Sequence, residues 1–499
     1  MQYKSESNLM PPSSLNTRRY WLLFVVCVAS FLEPLATTVV TVSLSHIQRA
    51  TDASFTELQW VLNAYVLTFA AFVLTGGALA DRFGRKRIFI TGLLIFILAS
   101  AICGLAQTSL LLILGRAAAG IGSAFMLSAG LALLVQVFHG PERVRAFAIW
   151  GVVVGAGSAL GPLIGGVLTE TLGWRWIFFI NLPVCMPLLA LSFWSADESY
   201  DQDAIIIDWR GLVSFTTMFI LVMYALVEGN GAGWSSPKII SLLSISVLLL
   251  IVFVWLQLKQ THPMFDLSLF ASKTFTGVSI VAIAIAAAFF TLLVYLPIYI
   301  QGVLGYSPSQ TGLALIVMAV PLLIMGPVSA KLAVILPTRL FLPLGLFIIA
   351  GGALLLSVMG QYGEPALYAG MIITGIGAGL INGELSNVAI SIVAPERSGM
   401  ASGISNTMRQ LGFGMGIASL GAIFSASLAR ALANYEQSFI ERVASGDITT
   451  AVTTVDNAGE ASEVAKTALT AAMSNLSFSA AALAGLAAIL AFLLIRTGR

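Results

Sequence analysis

The sequence predicts an all-α polytopic membrane protein with fourteen membrane-spanning helices. Three observations carry that expectation. The 499-residue chain is 58% hydrophobic and 10% charged, whereas a soluble domain carries about a quarter charged residues. Fourteen apolar runs follow one another along the chain, each of about 18 residues or more, enough to cross a ~30 Å hydrocarbon layer as a helix. Lysine and arginine alternate between connections: with a cytoplasmic N-terminus, 17 of the 25 fall on the inner face, six on the outer face and two within helices. That bias is the positive-inside pattern, and it puts both termini in the cytoplasm.

The runs cover roughly 20–45, 57–80, 88–107, 110–137, 144–169, 174–194, 210–228, 238–258, 274–300, 309–333, 339–360, 365–393, 398–428 and 475–495. The first follows Arg18 and Arg19, is about 25 residues long and shows no small-residue cleavage site, so it reads as a retained helix rather than a signal peptide. The second and third flank a basic loop, the fourth contains Arg116, and the fifth is rich in glycine. The twelfth contains Glu384 and the thirteenth Arg409; Arg409, nearer an inner surface, is expected to snorkel. Between the last two runs lies the polar stretch 429–474, acidic and expected to be an outward-facing, partly helical surface loop.

An internal repeat organises these helices. GPERVRAFA at 140–148 echoes APERSGMAS at 394–402, and FTELQ at 55–59 echoes YSPSQ at 306–310, at offsets of 254 and 251. The repeat pairs helix 2 with helix 10 and helix 5 with helix 13. It predicts a six-helix bundle over 1–195, two inserted linker helices over 196–265, and a second six-helix bundle over 266–499. Duplicated bundles are common in secondary transporters, with the substrate path between the halves.

Composition also excludes function classes. A net charge of +2 gives no reason to expect a nucleic-acid partner. Cys27, Cys103 and Cys185 all lie in apolar segments, where free cysteine acts as a small hydrophobe. The three histidines are far apart, so no metal site is expected. No nucleophile triad or phosphate loop argues for an enzyme, and no cofactor is expected beyond a proton gradient as energy source.

The sharpest local signal is GALADRFGRKRIF at 77–89. Asp81 falls near the C-terminal end of helix 2, where the macrodipole disfavours an acid and a nearby cation must compensate. Arg82, Arg85 and Lys86 supply cations, while Gly77 and Gly84 frame the loop and Gly84 permits a tight turn. Such a charge cluster can latch helices in one state and release them in another. In helix 5, Gly157, Gly161 and Gly165 recur every four residues, with Gly166 adjacent, so another helix can approach closely; Pro162 invites a bend.

These stretches resemble the major facilitator superfamily. G-x-L-A-D-R-x-G-R-K is similar to its loop signature, LILGRAAAGIGSA at 112–124 to its helix-4 motif with Arg116 as the intramembrane arginine, and GAGSALGPLIGGVL at 155–168 to its antiporter helix-5 motif. GWRWIFFINLP at 173–183, DWRG at 208–211 and SNTMRQLG at 405–412 resemble the fourteen-helix drug:proton antiporter branch. The resemblance implies a major facilitator fold in a bacterial inner membrane, acting as a monomer. It further implies a gate built from the loop and helix-5 residues, and for some relatives a periplasmic adaptor and outer-membrane channel. In that branch helix 1 reads L-D-x-T-x-V-N-V-A-L-P; here Ala36 takes the place of its aspartate, Thr41 of its asparagine and Ser45 of its proline.

The acids well inside helices are Glu33 and Glu384. Glu33 lies about 20 Å along helix 1 from Tyr20, where a charged carboxylate costs at least ~2.5 kcal/mol. Ser30, Glu33, Thr37, Thr41 and Ser45 are spaced as one polar stripe, expected to line a central cavity. A carboxyl that exchanges between dry and wetted or cation-bound settings can take up and release a proton. Glu33, Glu384 and Arg116 are therefore the expected proton-coupling residues. Trp60, Tyr65, Phe69, Met126 and Trp150 could join Glu33, Thr37 and Thr41 in a substrate site, offering π faces and adaptable surface. The expected activity is proton-coupled export of amphipathic, cationic or aromatic small molecules. The alternatives are export of an endogenous metabolite, lipid or organic anion with Arg116 as counter-ion, and a non-transporting membrane sensor.

Overall fold

The computed structural model describes residues 12–200, 208–260, 263, 265–393, 398–455 and 457–496. Fourteen helices in it are long and apolar enough to cross a membrane. In chain order they are α1 (Thr17–Thr51), α2 (Phe55–Phe83), α3 (Arg85–Leu105), α4 (Ser109–Val137), α5 (Gly140–Thr171), α6 (Trp176–Ser195) and α7 (Trp209–Ala232). They continue as α8 (Pro237–Lys259), α9 (Lys273–Gly302), α10 (Pro308–Ile335), α11 (Thr338–Ser357), α12 (Glu364–Ala389), α13 (Gly403–Ala431) and α14 (Ala458–Leu494).

The repeat seen in the sequence has a physical basis at two helix starts. Ser54 and Glu57 form a capping box at the start of α2, and Ser307 and Gln310 form one at the start of α10. In each, the serine oxygen accepts from the third helical amide and the acid or amide reaches back to the serine N–H, satisfying two otherwise orphaned donors. This equivalence sets Ser54 against Ser307 and corrects the register of the FTELQ/YSPSQ match by two residues. The other half of the repeat signature, Pro395-Glu396-Arg397, lies outside the described residues.

Packing repeats with the same pairing. Helix α1 packs on α5 and α2 on α4 in the first half; α9 packs on α13 and α10 on α12 in the second. Among the described residues the halves meet chiefly along two seams, α2 with α13 and α5 with α10, and the repeat interchanges them. Helix α7 covers the first seam: Phe219 and Met223 share an apolar cluster with Leu67 and Ala70 of α2 and Ala418 of α13. Its start is fixed by Asp208, whose carboxylate accepts from Gly211 N (2.6 Å), Gln257 Nε2 (2.6 Å) and Gln260 Nε2 (2.9 Å).

The bundle has one basic and one acidic end. At the basic end Arg85 donates to Asp81 Oδ1 at 2.8 and 2.9 Å, so the motif's charge pair closes within its own loop. Gly84 has φ +112°, which only glycine adopts readily. Glu198, after α6, accepts from Lys86 N at 3.1 Å and lies 3.6 Å from Arg87 Nε. Arg82 lies 5.5 Å from the ring of Phe83, and an added Cβ on Gly77 would meet open space.

The stretch 429–474 is partly helical, as expected, but is packed against the bundle rather than fully solvated. Helix α14 begins at Ala458, and two short helices, Gln437–Ala444 and Ile448–Ala451, precede it. Phe439, Val443, Ile448 and Ala451 are buried. Their spacing gives the short helices an apolar face, which folds onto the acidic end as a cap.

Candidate functional site

The site is built on a break in α1. Pro34 interrupts the backbone ladder, and the α-helical bonding ends where Val39 N donates to Leu35 O at 2.8 Å; a 3-10 turn follows at Thr41–Ser43. The next carbonyl along, Ala36 O, takes Arg116 NH1 at 2.9 Å, and Arg116 Nε donates to Val61 O at 3.0 Å. Arg116 is 1% exposed and lies 4.4 Å from the centre of the Tyr65 ring. Arg116 thus bridges α1 and α2 at Ala36 and Val61.

One turn earlier, the Glu33 carbonyl accepts from Thr37 Oγ1 and lies within bonding distance of the Tyr65 hydroxyl, each at 3.1 Å. The Tyr65 hydroxyl is also 2.8 Å from Ser123 Oγ. The half-buried Glu33 side chain crosses to the other half, where Oε1 accepts from Gln410 Nε2 of α13 at 3.3 Å. The bond anchors Glu33 beside Arg409, the residue that precedes Gln410 in α13. Its guanidinium is held by two amides: NH1 donates to Asn382 Oδ1 at 3.2 Å and NH2 to Asn406 Oδ1 at 2.9 Å. Arg409 therefore does not snorkel but joins the centre of the interface. Sequence reasoning missed it, Gln410, Asn382 and Asn406, although SNTMRQLG carried three of the four.

Close packing fixes the α1 backbone. A Cβ on Gly157 would fall 2.9 Å from Pro34, one on Gly161 2.8 Å from Thr38 Cβ, and one on Gly165 2.9 Å from Val42. These glycines meet α1, while Gly166 and Pro162 on the adjoining face meet the start of α10 at Pro308 and Gly312.

The remaining expected residues scatter. The polar stripe of α1 splits at the 3-10 turn, because the change of helical twist carries later residues off the face. Thr41 is buried against Thr38 O (2.8 Å), and Ser45 bonds Gln301 (3.2 Å). Tyr65 and Phe69 are buried and stacked at 6.4 Å. Met126 is 2% exposed, against α3 at Gly92. Trp60 lies 6.0 Å from Tyr224 of α7, in the seam cover. Trp150 is half-buried beside Phe147 (6.2 Å). Glu384 is half-buried and accepts from Asn387 Nδ2 at 3.3 Å; no bond joins it to Glu33 among the described residues. Its helix contributes Asn382 to the centre instead.

Polar ties between the halves gather at the acidic end among the described residues. Gln59 donates to Tyr295 (2.9 Å) and Gln301 to Val42 O (2.9 Å). Glu170 accepts from Ser309 N (3.0 Å) and Ser307 Oγ (2.7 Å) at the start of α10, and also from Ser309 Oγ. The cap adds Gln48 Nε2 to Glu441 O (3.1 Å), Ser445 Oγ to Gln48 Oε1, and the Arg49–Asp447 pair (3.4 Å). Towards the basic end of the α5–α10 seam, added Cβ atoms on Gly151 and Gly326 would meet open space. The halves touch at the acidic end and part along this seam at the other.

Comparison with known proteins agrees with this architecture. The family model of the Major Facilitator Superfamily matches residues 26–417. The chain is 32% identical to multidrug resistance protein Stp of Mycobacterium tuberculosis, over 84% of this chain and 78% of that one. It is 33% identical to puromycin resistance protein pur8 of Streptomyces alboniger, over 84% of each, and 30% identical to a methylenomycin A resistance protein of Streptomyces coelicolor, over 79% and 83%. Among solved structures, a bacterial homologue of the lysosomal transporter Spinster superposes with a TM-score of 0.66 at 18% identity, covering 96% of this chain and 97% of that one. A peptide transporter, POT, gives 0.62 at 14% identity, covering 88% and 95%. The chain belongs to the Major Facilitator Superfamily and is a multi-pass membrane transporter of that family, not an enzyme.

Proposed function

We propose that the protein is a proton-coupled antiporter, driven by the proton gradient, that exports amphipathic cationic or aromatic small molecules by alternating access. The observation that carries this reading is the Glu33 carboxylate bonded across the interface to Gln410 at 3.3 Å. A carboxylate shared between two halves changes its surroundings whenever they rock, so its affinity for a proton or a substrate cation is coupled to the motion. The names of the relatives, resistance proteins for several drugs and for puromycin, support an exporter of such compounds. The distribution of lysine and arginine supports a basic end facing the cytoplasm, so the arrangement described is closed outward. Glu33 is the coupling residue in this reading. Arg116, bound to two backbone carbonyls, serves as a clamp, which disfavours a role as substrate counter-ion.

The test is reconstitution in liposomes with a trapped pH indicator. Adding a cationic dye should release protons from the wild type and not from Glu33→Gln. Dye transport by Glu33→Gln at the wild-type rate with unchanged proton release would refute the assignment.

A further inference from the structure

Arg409 is a positive charge at the centre of the interface whose two hydrogen bonds among the described residues go to neutral amides, Asn382 at 3.2 Å and Asn406 at 2.9 Å. A guanidinium has five N–H donors, so these amides neither neutralise it nor use up its donors. Its counter-charge in the site is Glu33, whose carboxylate accepts from Gln410, the next residue along α13. With Glu33 ionised, the empty site is thus electrically balanced. A substrate carrying only a positive charge upsets that balance: it takes Glu33 and leaves Arg409 as an uncompensated charge in a half-buried setting, which is costly. A substrate that brings an anion beside its cation leaves the site balanced, and its carboxylate can take the free guanidinium donors in charge-assisted bonds.

We propose that Arg409 is a specificity-determining residue that selects zwitterionic amphiphiles, with the cationic group on Glu33 and a carboxylate or similar anion on Arg409. This rests on the reading of Glu33 as the cation site and narrows the substrate class that site takes. Asn382 and Asn406 are positioning residues: they hold the guanidinium away from Glu33, so the two charges do not collapse onto each other when the site is empty.

Rhodamine B and its ethyl ester make a matched test, since they share one aromatic cation and differ in whether a carboxylate accompanies it. Binding to the purified full-length protein in nanodiscs is read by fluorescence anisotropy against empty nanodiscs. Wild type should bind rhodamine B roughly tenfold or more tightly than the ester, the scale of one charge-assisted bond. Arg409→Gln should bring the ratio to about one by weakening only rhodamine B, and Arg409→Lys, which keeps the charge, should retain part of the preference. Glu33→Gln should weaken both dyes. A wild type that favours the ester, or a ratio unmoved in both Arg409 variants while Glu33→Gln still weakens both dyes, overturns the zwitterion inference alone. Unchanged affinity for both dyes in Glu33→Gln overturns the Glu33 reading and this inference with it.

Discussion

Removing the side chain of Gln48 should open the acidic end. Gln48 is 6% exposed, and its amide is fully engaged: Nε2 donates to Ala53 O and Glu441 O at 3.1 Å each, and Oε1 accepts from Ser445 Oγ. Two of these bonds cross from the first half to the cap, which is rooted in the second half where Gly446 meets the backbone of Ile298. A buried hydrogen bond contributes about 1 kcal/mol net, so Gln48→Ala withdraws roughly 2 kcal/mol from the closed arrangement. That corresponds to a shift of about 30-fold in the ratio of closed to open molecules. Spin labels on Ala50→Cys and Glu460→Cys, both exposed positions on opposite halves, report the separation by pulsed electron resonance; Cys27, Cys103 and Cys185 are buried. The variant should show a longer distance at the expense of the wild-type peak. Superimposable distributions for the two proteins would refute the reasoning that the cap latches the halves.

Three further outcomes follow from packing and capping. Gly161→Val should lower the melting temperature, because its Cβ would fall 2.8 Å from Thr38 Cβ and 3.3 Å from Val39 N; overpacking of this kind costs roughly 1–3 kcal/mol, readable by thermal denaturation in detergent. Asp208→Ala should loosen α7 and α8, since it removes a cap and two amide bonds to a carboxylate, about 2 kcal/mol or more; hydrogen exchange should rise across 209–259 and stay unchanged in α3. Asp81→Asn should leave the melting temperature nearly unchanged, because the Asp81–Arg85 pair is partly exposed, at 41% and 23%, and such pairs contribute little to stability. A substantial fall in transport by that variant, with stability intact, would place the loop in the working cycle.

The fold was legible because membrane helices announce themselves by composition, and a capping box or a glycine ladder repeats visibly in a duplicated chain. Within the site, Glu33 stood out because an acid is rare at that depth. Arg409 and Gln410 did not, because a polar residue near a helix end has a cheap alternative in the interface. Nothing local in SNTMRQLG tells which of the two applies. The aromatic residues are ambiguous for a related reason. Trp60 and Met126 have the chemistry of a binding surface, but that chemistry serves equally to fill a seam under α7, as Trp60 does beside Tyr224, or to pack in a buried core, as Met126 does. Periodicity also failed on α1, where a uniform helical spacing was carried past Val39 although the helix there tightens into a 3-10 turn.

That break gives the site its character. Four constraints converge on the backbone of residues 33–38: the Arg116 bond to Ala36 O, the Thr37 bond to Glu33 O, the Tyr65 hydroxyl beside the same carbonyl, and the glycines of α5 pressing on Pro34 and Thr38. All come from the first half, so the main chain carrying Glu33 moves with that half as a rigid part. The Glu33 carboxylate, in contrast, is tied to the second half through Gln410. A stiff support under a side chain whose partner sits on the opposing body converts a relative rotation of the halves into a change in that side chain's surroundings. Arg116 contributes to this by holding Ala36 O, which keeps the support stiff. In the proposed antiport cycle, Arg116→Ala should therefore relax α1 and uncouple dye movement from proton release, whereas Glu33→Gln should abolish the proton release itself.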